Sequence, residues 1–219
     1  MEVKLGYHLL HPTSILIAGN SGSGKSYLVA NLIRKQLFQP TPTKIFWFYR
    51  QYQSLYRELK QEGYPITFSE GIPDDIAKQN FFDKKETNLC IIDDLHLEKG
   101  ISEQVAQLFC NTGRHSNTSV VYITQNLFFK QPSARDIRLN AKYIICFKNP
   151  QDRLQLMTIG RQVYPGKSSF FQSALDQCFK RKHGYVLIDL NQSTEDRYRV
   201  RSCIFGENEE GYPEVFIPV

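Results

Sequence analysis

Gly19-Asn20-Ser21-Gly22-Ser23-Gly24-Lys25-Ser26 is the stretch from which the fold of this chain can be read. It fits GxxxxGK[ST], the phosphate-loop pattern. Gly19, Gly22 and Gly24 free the backbone to fold tightly around a phosphate. Successive N–H groups then converge at a helix N-terminus, where the dipole also favours an anion. In this pattern Lys25 reaches the β- and γ-phosphates and Ser26 ligates Mg²⁺. Asn20, Ser21, Ser23 and Tyr27 complete the candidate nucleotide contacts. The flanks agree. Thr13 to Ala18 (TSILIA) predicts a buried strand leading in. Lys25 to Phe38 predicts the helix leading out, with Leu28, Val29, Leu32, Ile33 and Leu37 at helical spacing. Pro40 and Pro42 stop it. The pattern implies a nucleoside triphosphate with Mg²⁺, and a GTPase is disfavoured, since the sequence holds no NKxD guanine-reading motif. Lys25 is expected as a solvent-side charge, removable without cost to the fold.

Downstream, Asn88 to Ile92 (NLCII) predicts an apolar strand ending at Asp93-Asp94. A carboxylate at the C-terminal tip of a strand in an open α/β sheet lies beside the phosphate loop. Asp93 is thereby the candidate holder of the Mg²⁺ hydration shell. Asp94 is the candidate that orients or deprotonates the attacking water. Both also suit a strand-terminating turn. Ser119 to Thr124 (SVVYIT) predicts another buried strand. Gln125 at its tip can contact the γ-phosphate or the water, or simply cap the strand. Arg114 can reach a neighbouring subunit's nucleotide, or serve as a solvated charge at a helix end. Arg135 and Arg138 are rivals for that role.

Lys44 to Tyr49 (KIFWFY) predicts an aromatic strand, Ser54 to Glu62 a helix, and Ile66 to Ser69 a short strand. Asp74-Asp75 can open a short helix. Ser102 to Thr112 predicts a helix closed by Gly113, Arg135 to Ala141 a turn or two of helix, and Tyr143 to Phe147 a strand. Continuous apolar strands separated by helices imply an α/β fold with a mainly parallel sheet covered on both faces. Further helices are predicted over Asp152 to Ile159 and Phe170 to Lys182. Tyr185 to Leu190 and Tyr198 to Phe205 are expected as an antiparallel pair on the sheet edge. No linker-like stretch divides the chain, so it reads as one P-loop domain over 1–219, with a core over 1–150 and C-terminal helices and edge strands over 151–219.

The 219 residues are 41% apolar and 22% charged, which excludes a largely disordered chain. Lys and Arg number 27 against 22 Asp and Glu, a net +5 that permits a polyanionic partner without demanding one. Phe179-Lys-Arg-Lys-His183 is a basic run, and Arg197, Arg199 and Arg201 are expected to alternate on a strand. These are candidate contacts to duplex phosphates, or ordinary solvated faces. No apolar run reaches the ~18 residues of a membrane span, so no membrane partner is expected. The five cysteines form no CxxC pair and read as reduced core residues of a reducing compartment. The five histidines lack metal spacing.

GNSGSGKS, then LCIIDDLH, then VVYITQN resemble the FtsK–HerA superfamily of ring-forming P-loop ATPases. Within it, the chain resembles viral genome-packaging ATPases of the poxvirus type, and most closely those of Polinton/Maverick elements and related small double-stranded DNA viruses. HPTSILIAGNSGSGKS, GRHSNTSVVYITQNLF, CFKNPQDRLQLMTIGRQVYP and GYVLIDLNQSTEDRYRVRSCIF carry the resemblance over nearly the whole chain. It implies ATP and Mg²⁺ at Lys25 and Ser26, Asp93 as the metal-side carboxylate, Gln125 as sensor and Arg114 as a finger acting in trans. It also implies a pentameric or hexameric ring around double-stranded DNA, a capsid or portal-vertex partner, and a location inside the infected host (nucleus or viral factory) or in the virion. Asp94 stands where Glu is common in the superfamily, which leaves the identity of the base open. Two other functions fit the residues: a nucleoside or small-molecule kinase, and an ATP-binding regulatory protein that does not hydrolyse. The paired Asp and the Gln after the strand fit water activation better than phosphoryl transfer to an acceptor.

Overall fold

The computed structural model describes residues 7–78, 80–95, 101–112, 116–128, 133–207 and 211–218. Along the chain run β1 (Leu9–Leu10), β2 (Ser14–Ala18), α1 (Lys25–Arg34), β3 (Phe38–Gln39), β4 (Lys44–Tyr49), α2 (Ser54–Gln61), β5 (Ile66–Glu70) and β6 (Asn88–Asp93). They are followed by α3 (Ile101–Gln107), β7 (Thr118–Thr124), α4 (Ala134–Asn140), β8 (Tyr143–Phe147), α5 (Arg153–Val163), α6 (Ser168–Cys178), β9 (Tyr185–Asp189), β10 (Val200–Ser202) and β11 (Glu214–Phe216). The main sheet has the order β11-β10-β9-β8-β2-β7-β6-β4-β5. From β8 to β5 every pairing is parallel. From β8 outward through β9, β10 and β11 every pairing is antiparallel. The mainly parallel α/β sheet with an antiparallel C-terminal edge is therefore as expected.

Strands β2, β6, β7 and β8 are buried at every position. Alternate residues serve opposite faces. Ile15, Ile17, Ile91 and Ile123 pack with Leu28, Leu32, Leu55 and Leu59 of α1 and α2. Leu16, Ala18, Ile92 and Tyr122 pack with Val105, Ile137, Leu156 and Leu175 on the other side. With both faces covered, polar side chains are confined to the strand ends (Ser14, Asn88, Asp93, Thr118, Ser119 and Thr124), which is why the interiors of these strands read as unbroken apolar runs.

The structure corrects several local expectations. α1 ends at Arg34 instead of continuing to Phe38. Gln36 takes a left-handed backbone, φ 51, and Phe38 enters β3, paired in parallel with β1. Asp74-Asp75 opens turns and no helix: Ile76 N–H bonds Pro73 O and Lys78 N–H bonds Asp75 O, with no longer ladder following. The last turns of the third helix widen to a π-helix over Leu108–Thr112; Gly113 lies outside the described residues. Arg197 and Arg199 do not alternate on a strand, since Asp196–Tyr198 is a 3₁₀ turn. Arg199 is tied to Asp196 at 2.8 Å and to the carbonyls of Asp189 and Asn191 at 3.0 and 2.8 Å. Arg201 stacks on the Tyr7 ring at 4.4 Å. Four cysteines are buried as expected, but Cys110 is exposed.

Candidate nucleotide site

The parallel strands β2, β7, β6 and β4 all end on one edge of the sheet, and each delivers a loop there. The loop after β2 is tied to the end of β7 by Gly19 N–H donating to Thr124 O at 3.3 Å. A Cβ at Gly19 would lie 2.8 Å from both Phe147 Cβ and Ser23 Oγ, so only glycine permits this approach. Gly24, with φ 104, turns the chain into α1. That helix has no side-chain cap and no acidic residue in its first turn, which leaves its first N–H groups and its positive end to an anion.

Lys25 is 8% exposed. Its Nζ donates to Gly19 O at 2.6 Å and Asn20 O at 2.9 Å. Burial lowers its pKa, opposed by the carboxylates of Asp93 and Asp94. It is therefore not the solvent-side charge expected from sequence but a strut of the loop itself. Asp93, at the tip of β6, is 2% exposed. Its Oδ2 accepts from Tyr56 OH at 3.0 Å and from Trp47 Nε1 at 3.3 Å, and Ser26 lines the same cleft. Burial pushes the carboxyl up from the ordinary range, and Ser26, Tyr56 and Trp47 pull it back. The Ser26 hydroxyl and the Asp93 carboxylate, on one cleft, are hard oxygen donors of the kind Mg²⁺ takes.

Asp94 has φ 57. A left-handed non-glycine residue costs on the order of 1–3 kcal/mol and tends to mark a functional turn. Its carboxylate accepts from Gln125 Nε2 at 3.2 and 3.4 Å, so the tips of β6 and β7 meet through these two side chains. Ser21, Gly22, Gly24, Lys25, Ser26, Tyr27, Asp93, Asp94 and Gln125 thus share one cleft of about 600 Å³. Arg114 lies outside the described residues. Arg135 and Arg138 do not line the cleft; Arg138 stacks instead on Phe128 at 4.1 Å.

The sequence reading missed Trp47 and Tyr56, which hold Asp93, and Arg50 and Tyr52, which line the cleft. The available signal was the aromatic strand Lys44–Tyr49, whose C-terminal loop must open on the same edge. A second, mainly apolar cleft of about 420 Å³ adjoins the first at Gly24 and Tyr27. Leu28, Phe147, Tyr185 and Phe205 wall it, and Arg181 to His183 border it. His183 Nδ1 lies 3.1 Å from Ser23 O. The basic run read from the sequence is therefore packed against the phosphate loop.

Sheet order, phosphate loop and cleft define the P-loop NTPase fold. Among solved structures, the chain is similar to the genome-packaging NTPase B204 of Sulfolobus turreted icosahedral virus 2. Its AMPPCP complex matches with a TM-score of 0.53 and 17% identity, over 84% of this chain and 95% of that one. Its sulfate complex gives a TM-score of 0.50 and 16% identity, over 83% and 93%. The flagellar accessory protein FlaH of Methanocaldococcus jannaschii is more distant, with a TM-score of 0.41 and 15% identity over 63% of this chain and 72% of its own. The sequence matches no family model and no curated protein. The resemblance to viral packaging ATPases is met by a structural neighbour of that kind, at the level of the fold.

Proposed function

We propose that the chain is an ATP-hydrolysing double-stranded DNA translocase that packages a viral genome. The observation that carries this reading is the convergence of Lys25, Ser26, Asp93, Asp94 and Gln125 on one cleft at the sheet edge. The phosphates lie against the loop and the first turn of α1, and Lys25 exchanges its loop carbonyls for phosphate oxygens. The base extends past Tyr27 into the apolar cleft beside Phe147. Ser26 and Asp93 would hold Mg²⁺, which when bound would neutralise phosphate charge. Asp94 takes the proton of the attacking water, and Gln125, donating to both carboxylate oxygens, fixes its orientation. This pairing is why hydrolysis is favoured over transfer to an acceptor.

In this reading 1–219 acts as one domain within a pentameric or hexameric ring on duplex DNA, at a capsid or portal vertex in the infected cell, with Arg114 supplying charge in trans. No described helix is long and apolar enough to cross a membrane. The test is phosphate release from Mg·ATP with and without duplex DNA. Duplex of any sequence should stimulate it, with binding that weakens with salt at a log–log slope of about −0.9 per phosphate neutralised. Phosphoryl transfer to a nucleoside without a DNA response would establish the kinase instead, and binding without turnover the regulatory protein.

A further inference from the structure

The basic run Lys180-Arg181-Lys182-His183 plays no part in the hydrolytic scheme above. It lies between α6 and β9, on a turn that the fold holds in one shape. His183 takes a left-handed backbone, φ 56, and a Cβ at Gly184 would lie 2.0 Å from Cys178 O, so only glycine closes the turn. Gly184 O accepts the Lys148 N–H at 3.2 Å, which joins the end of β8 to it. Lys148, Lys180, Arg181, Lys182 and His183 thereby line one cleft of about 490 Å³. Among the described residues no carboxylate lines this cleft. Arg181 is paired with Glu214 at 2.5 Å. Lys148, Lys180 and Lys182 have no ion-pair partner among the described residues.

The other basic candidates are tied up: Arg197 on Glu195 at 2.9 Å, Arg199 on Asp196 at 2.8 Å, and Arg201 on the Tyr7 ring. Like charges held together without internal counter-charge raise the local potential and draw in a polyanion. Lysine ammoniums meet phosphates as point charges, which suits contact that is blind to base sequence. The cleft shares no residue with the nucleotide cleft, yet it reaches the phosphate loop. Ser23 lines it, and His183 Nδ1 lies 3.1 Å from Ser23 O. A carbonyl only accepts, so Nδ1 carries a proton and donates. His183 is thus a wall of the basic cleft and a tether of the loop at once.

We propose that this cleft seats the backbone phosphates of duplex DNA and that His183 passes its occupancy to the phosphate loop. The choice of duplex as the polyanion, and the passage to turnover, rest on the reading above. The test uses the full chain carrying Lys148→Ala and Lys180→Ala together. Both lysines are exposed and line neither the nucleotide cleft nor the apolar one, so turnover without DNA should match the wild type. Binding of a fluorescently labelled duplex, without nucleotide, should weaken at least ~10-fold at low salt, and its log–log salt slope should become shallower by about 2. Affinity and slope equal to those of the wild type overturn the site, and leave the translocase reading standing if duplex still stimulates. Equal affinity with a smaller assembly on sedimentation makes the cleft a contact between copies and also overturns it. Weakened binding in a protein that never turns over ATP supports the site and sinks the hydrolytic reading. The tether is read with His183→Asn, since asparagine accepts the left-handed backbone but is too short to keep the imidazole's place. This variant should bind duplex nearly as tightly as the wild type, while saturating duplex no longer stimulates phosphate release. Undiminished stimulation overturns the tether.

Discussion

Replacing Asp93 by Asn separates what this carboxylate costs the fold from what it gives the nucleotide. Asp93 is 2% exposed, and one of its oxygens accepts from both Tyr56 and Trp47. Burial raises its pKa above the ordinary 3.8. A carboxyl raised in this way holds its proton more tightly folded than unfolded. Its contribution to stability is fully present below 3.8 and is lost as pH rises through the folded value. Within that window the slope for one proton is about −1.4 kcal/mol per pH unit. For a chain of this size that is roughly 3–6 °C in Tm per unit. An amide at 93 still offers an oxygen to both donors and carries no charge, so Asp93→Asn should remove this slope. The assay is thermal melting of both proteins without nucleotide or metal, from about pH 4 to about pH 8. The wild type should lose ground to the variant as pH rises. Mg·ATP should then raise the melting point of the wild type and not of the variant, because binding stabilises only the state that binds. A difference between the two that does not change with pH, or one that favours the wild type increasingly with pH, would refute the reasoning.

Asp94→Asn should still bind Mg·ATP but release phosphate at least ~10²-fold more slowly, the scale of lost general-base help; loss of binding itself would contradict the role given to Asp94. Arg114→Ala mixed with Lys25→Ala should regain turnover, because in a mixed ring an intact Lys25 site can face an intact Arg114. A mixture as inactive as each variant, with subunits shown to exchange, excludes Arg114, and Arg135 and Arg138 follow in the same assay. Cys110 alone of the five thiols should react quickly with iodoacetamide in the folded protein, since Cys90, Cys146, Cys178 and Cys203 are buried. Peptide mass spectrometry reads the outcome, and rapid labelling of a second thiol would contradict the packing.

The middle of the fold was legible because each central strand is buried on both faces, so Ile91 and Ile92 both have to be apolar although they point to opposite cores. The same logic failed at Leu37 and Phe38. Both are buried, and an apolar residue there suits a helix end or a strand equally; the left-handed turn at Gln36 decides between them. Strand β11 carries no pattern of its own and exists through its pairing with β10. In the site, the phosphate loop, the two aspartates and Gln125 were readable because each sits at the tip of a recognisable strand. The grip of Trp47 and Tyr56 on Asp93 was not. It depends on the register of β4 against β6, in which Tyr49 lies opposite Asp93, and short-range sequence cannot state such a pairing. The burial of Lys25 was hidden for a similar reason. A lysine in a Gly/Ser-rich stretch looks solvated until the loop closes its carbonyls around the ammonium.

The most direct test of the account is phosphate release by Lys25→Ala beside the wild type, at saturating Mg·ATP and with duplex DNA present. In the proposed reaction Lys25 is the charge that meets the phosphates, and losing one such donor costs about 10²–10³ in rate. The variant should also melt lower, by about 1–3 kcal/mol, because the carbonyls of Gly19 and Asn20 lose their shared partner. A folded variant with turnover reduced at least ~10²-fold is the predicted result; a folded variant that hydrolyses ATP at the wild-type rate would show that the chemistry, if any, lies elsewhere in the molecule.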